Sequence, residues 1–366
     1  MNRVLLSFLI ALVVTLLLAS SCQSNSNEDH AGEPVDDDAA PGVDDDSANQ
    51  NDDTSDADHV IEQTDLGAQW ECSIAAWCID DYLNFLTFAA PWARPISDRA
   101  LARQINRVQT GAVEPLTSPL PADELRAAIR DALGIGFLLD GIDERPLTVT
   151  LIGEDETSEY FEKHLLFTDP YVGTFDAIYL TPKGDGPFPA VVAIHGHRTR
   201  ASIYRDYFHG NEYPAHGYAI LMLTMRVMFI DPFEHIISRD FLLDGFALMG
   251  MRVYEALLGL KYLRHRPEID DERIGLIGHS GGSSASNLTI RLEPDFAAYV
   301  SDLQIDYCEW GAYFEPYHCE TIPRLFPYHL LISDFTTSSV PVKTVPYGYT
   351  DGMREIFDFF DTWLKR

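Results

Sequence analysis

From Pro146 onward, short runs rich in β-branched and aromatic residues alternate with long runs of helical character, an alternation that few folds accept. The strand-like runs are "LTVTLI", "EKHLLFTD", "TFDAIYLTP", "PAVVAIHG", "YAILMLTMR", "RIGLIGHS", "FAAYVSDLQI" and "PVKTVPYGY". The helical ones include "LLDGFALMGMRVYEALLGLKYLRHR", the segment after Ser280 and the closing amphipathic "MREIFDFFDTWLKR". Turn residues such as Asp169-Pro170 and Lys183-Gly184-Asp185-Gly186 separate the first three runs, which therefore begin the sheet as neighbouring strands. "PAVVAIHG" is apolar almost throughout, as a strand covered on both faces must be. The pattern predicts an α/β domain over residues 146–366, a mostly parallel sheet with helices on both faces and no internal repeat.

Residues 60–145 read instead as a helical extension, with "AQWECSIAAWCIDDYLNFLTFAAPW", "SDRALARQINRV" and "PADELRAAIRDAL" as its helices. Pro121 marks a helix start and Gly134 stands just past its end. The extension either covers the site or braces the sheet.

Residues 1–22 give a basic Arg3, an apolar run from Val4 to Ala19, then small residues before Cys22, the pattern of a secretory signal. Ala19, Ser20, Ser21 and Cys22 resemble a bacterial lipobox, which implies a lipidated Cys22 and a chain anchored in a cell envelope. Residues 23–59 are rich in Asp, Ala, Gly, Ser and Asn and are expected to form a disordered acidic tether. No Lys or Arg falls between Arg3 and Arg94, so this tether carries much of the net charge of −31. That sign excludes nucleic acid as a partner, since phosphate needs clustered Lys and Arg. Apart from Cys22 the cysteines are Cys72, Cys78, Cys308 and Cys319, which export would allow to pair as Cys72 with Cys78 and Cys308 with Cys319, or to stay as buried thiols. Neither close pair has the short spacing of a zinc site.

Two segments carry chemistry. Gly278-His279-Ser280-Gly281-Gly282 fits G-x-S-x-G between an apolar strand and a helix, a turn that lifts a serine hydroxyl above the strand ends and turns the Gly281 N–H toward a developing oxyanion. "VVAIHGHRTR" leaves an earlier strand, and the backbone N–H of His197, with Arg198 beside it, is the second oxyanion donor expected. A metal pair of His195 and His197 lacks a nearby carboxylate motif, so no metal is expected.

With "PAVVAIHGH", "RPEIDDERIGLIGHSGG", "YHCETIPRLF" and "PVKTVPYGYTDG", residues 146 to 352 resemble the α/β-hydrolase superfamily, in its dienelactone hydrolase and acetyl xylan esterase-like branch. The resemblance implies an α/β-hydrolase fold, Ser280 as nucleophile and Asp351 as the acid that orients a histidine, with no cofactor and a small-molecule or carbohydrate ester as substrate. A second register makes Asp334 the acid and puts Tyr349 in the histidine's place. The family's histidine follows one further strand, whereas this sequence offers 15 residues after Asp351, all of helical character. His318 is then the base to consider, although it also reads as a structural histidine; His279, beside Ser280, should project away from it. Two further readings stand beside the esterase: a degenerate binding or scaffold protein on the same fold, and a peptidase of the prolyl oligopeptidase kind, for which propeller repeats are absent. Arg226 reads as an anion binder or a salt-bridged arginine; Trp310, Tyr313, Phe314 and Tyr317 read as pocket wall or core.

Overall fold

A computed structural model describes residues 84–228, 231–302, 317–318, 320–346 and 353–365. The chain divides into two compact units, residues 1–80 and 81–366, and every described residue belongs to the second. In chain order, helical residues 84–89 lead to α1 (Asp98–Gln109), α2 (Ala122–Leu133) and the short α3 (Gly136–Leu139). Then come β1 (Thr148–Glu156), β2 (Tyr160–Asp169), β3 (Gly173–Pro182), β4 (Phe188–Ile194), α4 (Ala201–Tyr207), β5 (Ala219–Leu223), α5 (Asp231–Asp244) and α6 (Leu248–Arg264). The remainder is β6 (Ile269–His279), α7 (Gly281–Leu292), β7 (Ala298–Asp302), α8 (His329–Ser333), β8 (Val342–Val345) and α9 (Met353–Leu364).

The eight strands form one sheet in the order β1-β2-β3-β5-β4-β6-β7-β8. β1, β2, β3 and β5 pair antiparallel, and from β5 to β8 every pairing is parallel. β4 to β7 are buried along almost their whole length because helices cover both faces, which is why they read as near-continuous apolar runs. On one face Val191, Ala193, Ile220, Met222 and Ile277 pack with Tyr204 and Phe208 around α4 and with Phe357, Phe360 and Leu364 of α9. On the other face α6 lies so close that a Cβ on Gly259 would sit 3.1 Å from Leu223.

The chain runs from β4 to β5 on one side, then crosses back to β6 on the other side of β4. This is the topological switch point of the sheet, where the carboxyl ends of strands open a crevice for ligands. β4 and β6 end flush, Ile194 being paired with Gly278, and His279 is paired with Asp302 of β7.

The long helix expected over 242–266 is two helices. Gly245, at φ +91, breaks it, and a Cβ there would meet the Arg94 backbone at 2.9–3.0 Å. The extension uses this break as its seat: the Arg94 and Ile96 N–H groups donate to Asp244 and Leu243 carbonyls, and Leu101 and Ile105 of α1 pack on Leu242 and Leu243. Pro121 stands at the N-cap of α2 and Gly134 is its left-handed C-cap, as the sequence indicates. The described part of the extension thus braces α5 and α6. Tyr317 packs against this same cluster, with Arg239 over its ring.

Candidate active site

Ser280 sits between β6 and α7 with φ 51° and ψ −119°, a conformation unfavourable for a residue bearing a Cβ. The turn is imposed by close approach. A Cβ on Gly278 would lie 2.4 Å from the Gly282 carbonyl oxygen, and one on Gly282 would lie 2.2 Å from that of Ile194. Ser283 clips the turn from inside, its hydroxyl lying within reach of the Gly278 and Asp302 carbonyls, and the Ser280 N–H donates to Asp302 O at 3.0 Å. Gly281 is the first residue of α7, and its N–H is one of those a helix leaves without an intrahelical acceptor. The Ser280 hydroxyl is half-buried and makes no hydrogen bond among the described residues.

Across the switch point, β4 runs into His195, Gly196 and His197. His195 is fully buried: its Nδ1 donates to the Gly196 carbonyl and its Nε2 accepts from the Met225 N–H at 2.9 Å, tying the end of β4 to the end of β5. Burial pulls its pKa down to about 3, so it stays neutral. With both nitrogens engaged, it is removed from the histidine pair considered as metal ligands. The His197 ring lies against the serine turn; a Cβ on Gly281 would fall 2.2 Å from its Cε1. The Arg198 N–H donates to Met228 O, which fixes the loop.

A buried charged network backs this loop. Arg252 and Glu234 are fully buried and 2.7 Å apart, and the same Glu234 oxygen lies 3.3 Å from His197 Nε2. Arg252 also donates to the Arg226 carbonyl, while Arg226 is salt-bridged to the fully buried Glu255. Arg226 is therefore the salt-bridged arginine of the two readings the sequence allows. Burial pulls the His197 pKa down, but the Glu234 hydrogen bond and the charges of Glu320 and Glu234 outweigh it, and the net shift is upward.

His318, in the segment between β7 and β8, joins this group. Its ring lies 4.7 Å from that of His197 and 5.6 Å from that of His235, and its carbonyl accepts from Ser238 on α5. Glu320 offers its backbone N–H to His318 Nδ1 at 3.3 Å, with its carboxylate 3.8 Å from the same nitrogen. Burial moves the His318 pKa down against the pull of Glu320. His197, Glu234 and His318 each bring one ligand atom within 4.8 Å of the others. The sequence does not bring this group together, because its members are far apart in the chain. The signals present were Arg252 and Glu255, charges set in an otherwise apolar helical run that had to find partners.

His279 turns away from Ser280, as expected, and pairs with Asp302 at 2.8 Å under Phe208. Asp302, an acid at the carboxyl end of β7, was not singled out from the sequence. Asp334 caps a short turn, accepting from the Thr336 N–H, and comes before β8. Asp351, Tyr349, Trp310, Tyr313, Phe314, Cys22, Cys72, Cys78, Cys308 and Cys319 lie outside the described residues.

No family model matches the chain. Over 165 residues it is 28% identical to "Putative hydrolase YtaP" of Bacillus subtilis (strain 168), covering 41% of this chain and 55% of that protein, about half its length. Among solved structures, a "putative acetyl xylan esterase" from Bacteroides fragilis NCTC 9343 aligns over 74% of this chain and 80% of that one, with TM-score 0.50 and 15% identity. Acetyl xylan esterase 1 from Thermoanaerobacterium sp. JW/SL YS485 aligns over 71% and 97%, with TM-score 0.45 and 16% identity. With the strand order, the switch point and the strained serine turn, the alignment to the first of these structures leads to one conclusion: the chain has the α/β-hydrolase fold.

Proposed function

We propose that the chain is a carboxylic-ester hydrolase that works through an acyl-serine at Ser280. The observation that carries this reading is the strained Ser280 turn at the switch point, facing the His195-Gly196-His197 loop. The Ser280 Oγ attacks the ester carbonyl and gives its proton to His318. The N–H groups of Gly281 and His197 stabilise the oxyanion. The intermediate collapses as the alcohol leaves with the proton, and water then attacks the acyl-serine with the same histidine as base. Glu320, with its carboxylate 3.8 Å from His318 Nδ1, is one candidate for the orienting acid; Asp351 keeps that role by sequence position alone. The acetyl xylan esterases among the structural relatives favour a small-molecule or carbohydrate ester as substrate. The sequence supports export, a lipid anchor at Cys22 and the two close cysteine pairs as disulfides; among the described residues no helix is long and apolar enough to cross a membrane.

Fluorophosphonate labelling and p-nitrophenyl acetate hydrolysis test the reading. Ser280→Ala should abolish labelling and lower turnover by at least about 10⁴-fold, and His318→Ala should lower kcat/KM by about 10³-fold or more. A folded wild type that neither labels nor turns over would favour a binding protein on this fold instead.

A further inference from the structure

The group beside the serine turn has the composition of a metal site. We propose that His197, Glu234 and His318 bind a divalent transition-metal ion, with Zn²⁺ the best match, against the wall of the oxyanion site. Three separate segments contribute: the loop after β4, the first turn of α5, and the segment between β7 and β8. Two imidazoles and one carboxylate are a donor set typical of zinc centres that keep a fourth position for water or a substrate oxygen.

The spacing supports a ligand pair. His197 Nε2 and Glu234 Oε1 stand 3.3 Å apart. Two ligands at about 2.0–2.1 Å from a tetrahedral ion are separated by about 3.3 Å, the edge of that tetrahedron.

The surroundings are those of ligands held in place. Glu234 Oε1 also accepts from Arg252 Nη2 at 2.7 Å, and Arg252 is itself held by the Arg226 carbonyl at 2.8 Å. Hydrogen bonding of this kind orients a metal carboxylate. Glu320 engages Nδ1 of His318, which assigns Nε2 to the ion. The His197 ring cannot swing toward α7, because Gly281 leaves it only the space of a missing side chain.

One consequence rests on the hydrolase reading. An imidazole nitrogen that holds a metal cannot also take a proton, so the loaded form and the form in which His318 serves Ser280 exclude each other. Zn²⁺ should then inhibit serine-dependent turnover, and a chelator should restore it.

The test uses the full chain, stripped by chelator and dialysed. Calorimetric titration with Zn²⁺ should give one equivalent per chain, and Co²⁺ should develop the visible absorption of a tetrahedral site. His318→Ala and Glu234→Gln should each weaken the binding by at least about 100-fold. Because Glu234 is buried against Arg252, the half-buried His318 is the variant that decides should Glu234→Gln fail to fold. Weak binding that persists in His318→Ala belongs to the acidic residues 23–59. Absence of a stoichiometric site in the folded wild type, or a site undiminished in His318→Ala, overturns the proposal. Metal binding without ester hydrolysis leaves the site standing while the hydrolase reading fails.

Discussion

Replacing Gly282 by alanine puts a methyl carbon 2.2 Å from the Ile194 carbonyl oxygen and 2.5 Å from that of His195, both backbone atoms with nowhere to go. The turn must open, at a cost of about 1–3 kcal/mol or more. Gly282→Ala should therefore lower the urea midpoint and abolish probe labelling together, whereas Ser280→Ala should abolish labelling and leave the midpoint near that of the wild type. At this scale the sequence was legible where the signal is local. Gly278, Gly281 and Gly282 announce a turn because each excludes a Cβ for which there is no room, against backbone at Gly278 and Gly282 and against the His197 ring at Gly281. The pairing of His197 with His318 was not legible, since 121 positions separate them and nothing in either neighbourhood names the other. Asp302 was missed for the same kind of reason: its partner His279 becomes its neighbour only through the β6–β7 register.

Elements show the same division. The strands were readable because β-branched runs between turn residues carry their own boundaries, and α2 because Pro121 and Gly134 bracket it. The break between α5 and α6 was not, because α6 is buried all round and an apolar sequence without a polar face has no period to interrupt. Glu162 of β2 meets Arg205 of the covering α4 at 2.5 Å and His164, two residues along its own strand, at 2.8 Å. Burial raises the pKa of this carboxyl, but the His164 hydrogen bond and the Arg205 charge and hydrogen bond outweigh it, and it ends below its ordinary 4.5. A depressed carboxyl contributes stability that is fully present above its unfolded pKa and lost as pH falls through the folded one. Denaturation midpoints should accordingly fall on the acid side of 4.5, and Glu162→Gln should flatten that limb while lowering neutral stability by about 1–3 kcal/mol. An acid limb unchanged by the substitution would place the effect on other carboxylates.

For the molecule as a whole, the extension, the sheet and the charged network form one train of support. The extension seats on the α5–α6 break, α5 carries Glu234, and Glu234 meets His197 beside Ser280. The proposed anchor is testable at the same scale. Mass spectrometry of the protein recovered from membranes should find Cys22 as a lipid-modified N-terminus and cystine-linked peptides joining Cys72 with Cys78 and Cys308 with Cys319. A mature protein beginning elsewhere, or free thiols at these positions, would remove those features.

Arg226, Glu255, Arg252 and Glu234 form two buried pairs, with the charges cancelling within each pair. Dissolved ions screen a field only where they can approach its sources, and over about 8 Å at physiological strength. The chain therefore has two electrostatic ranges. The far field of a net charge of −31 fades as salt is added, and with it any repulsion of anionic solutes approaching from a distance. The near field around His197 is set by pairs buried away from bulk salt, so it weakens far less as salt is added.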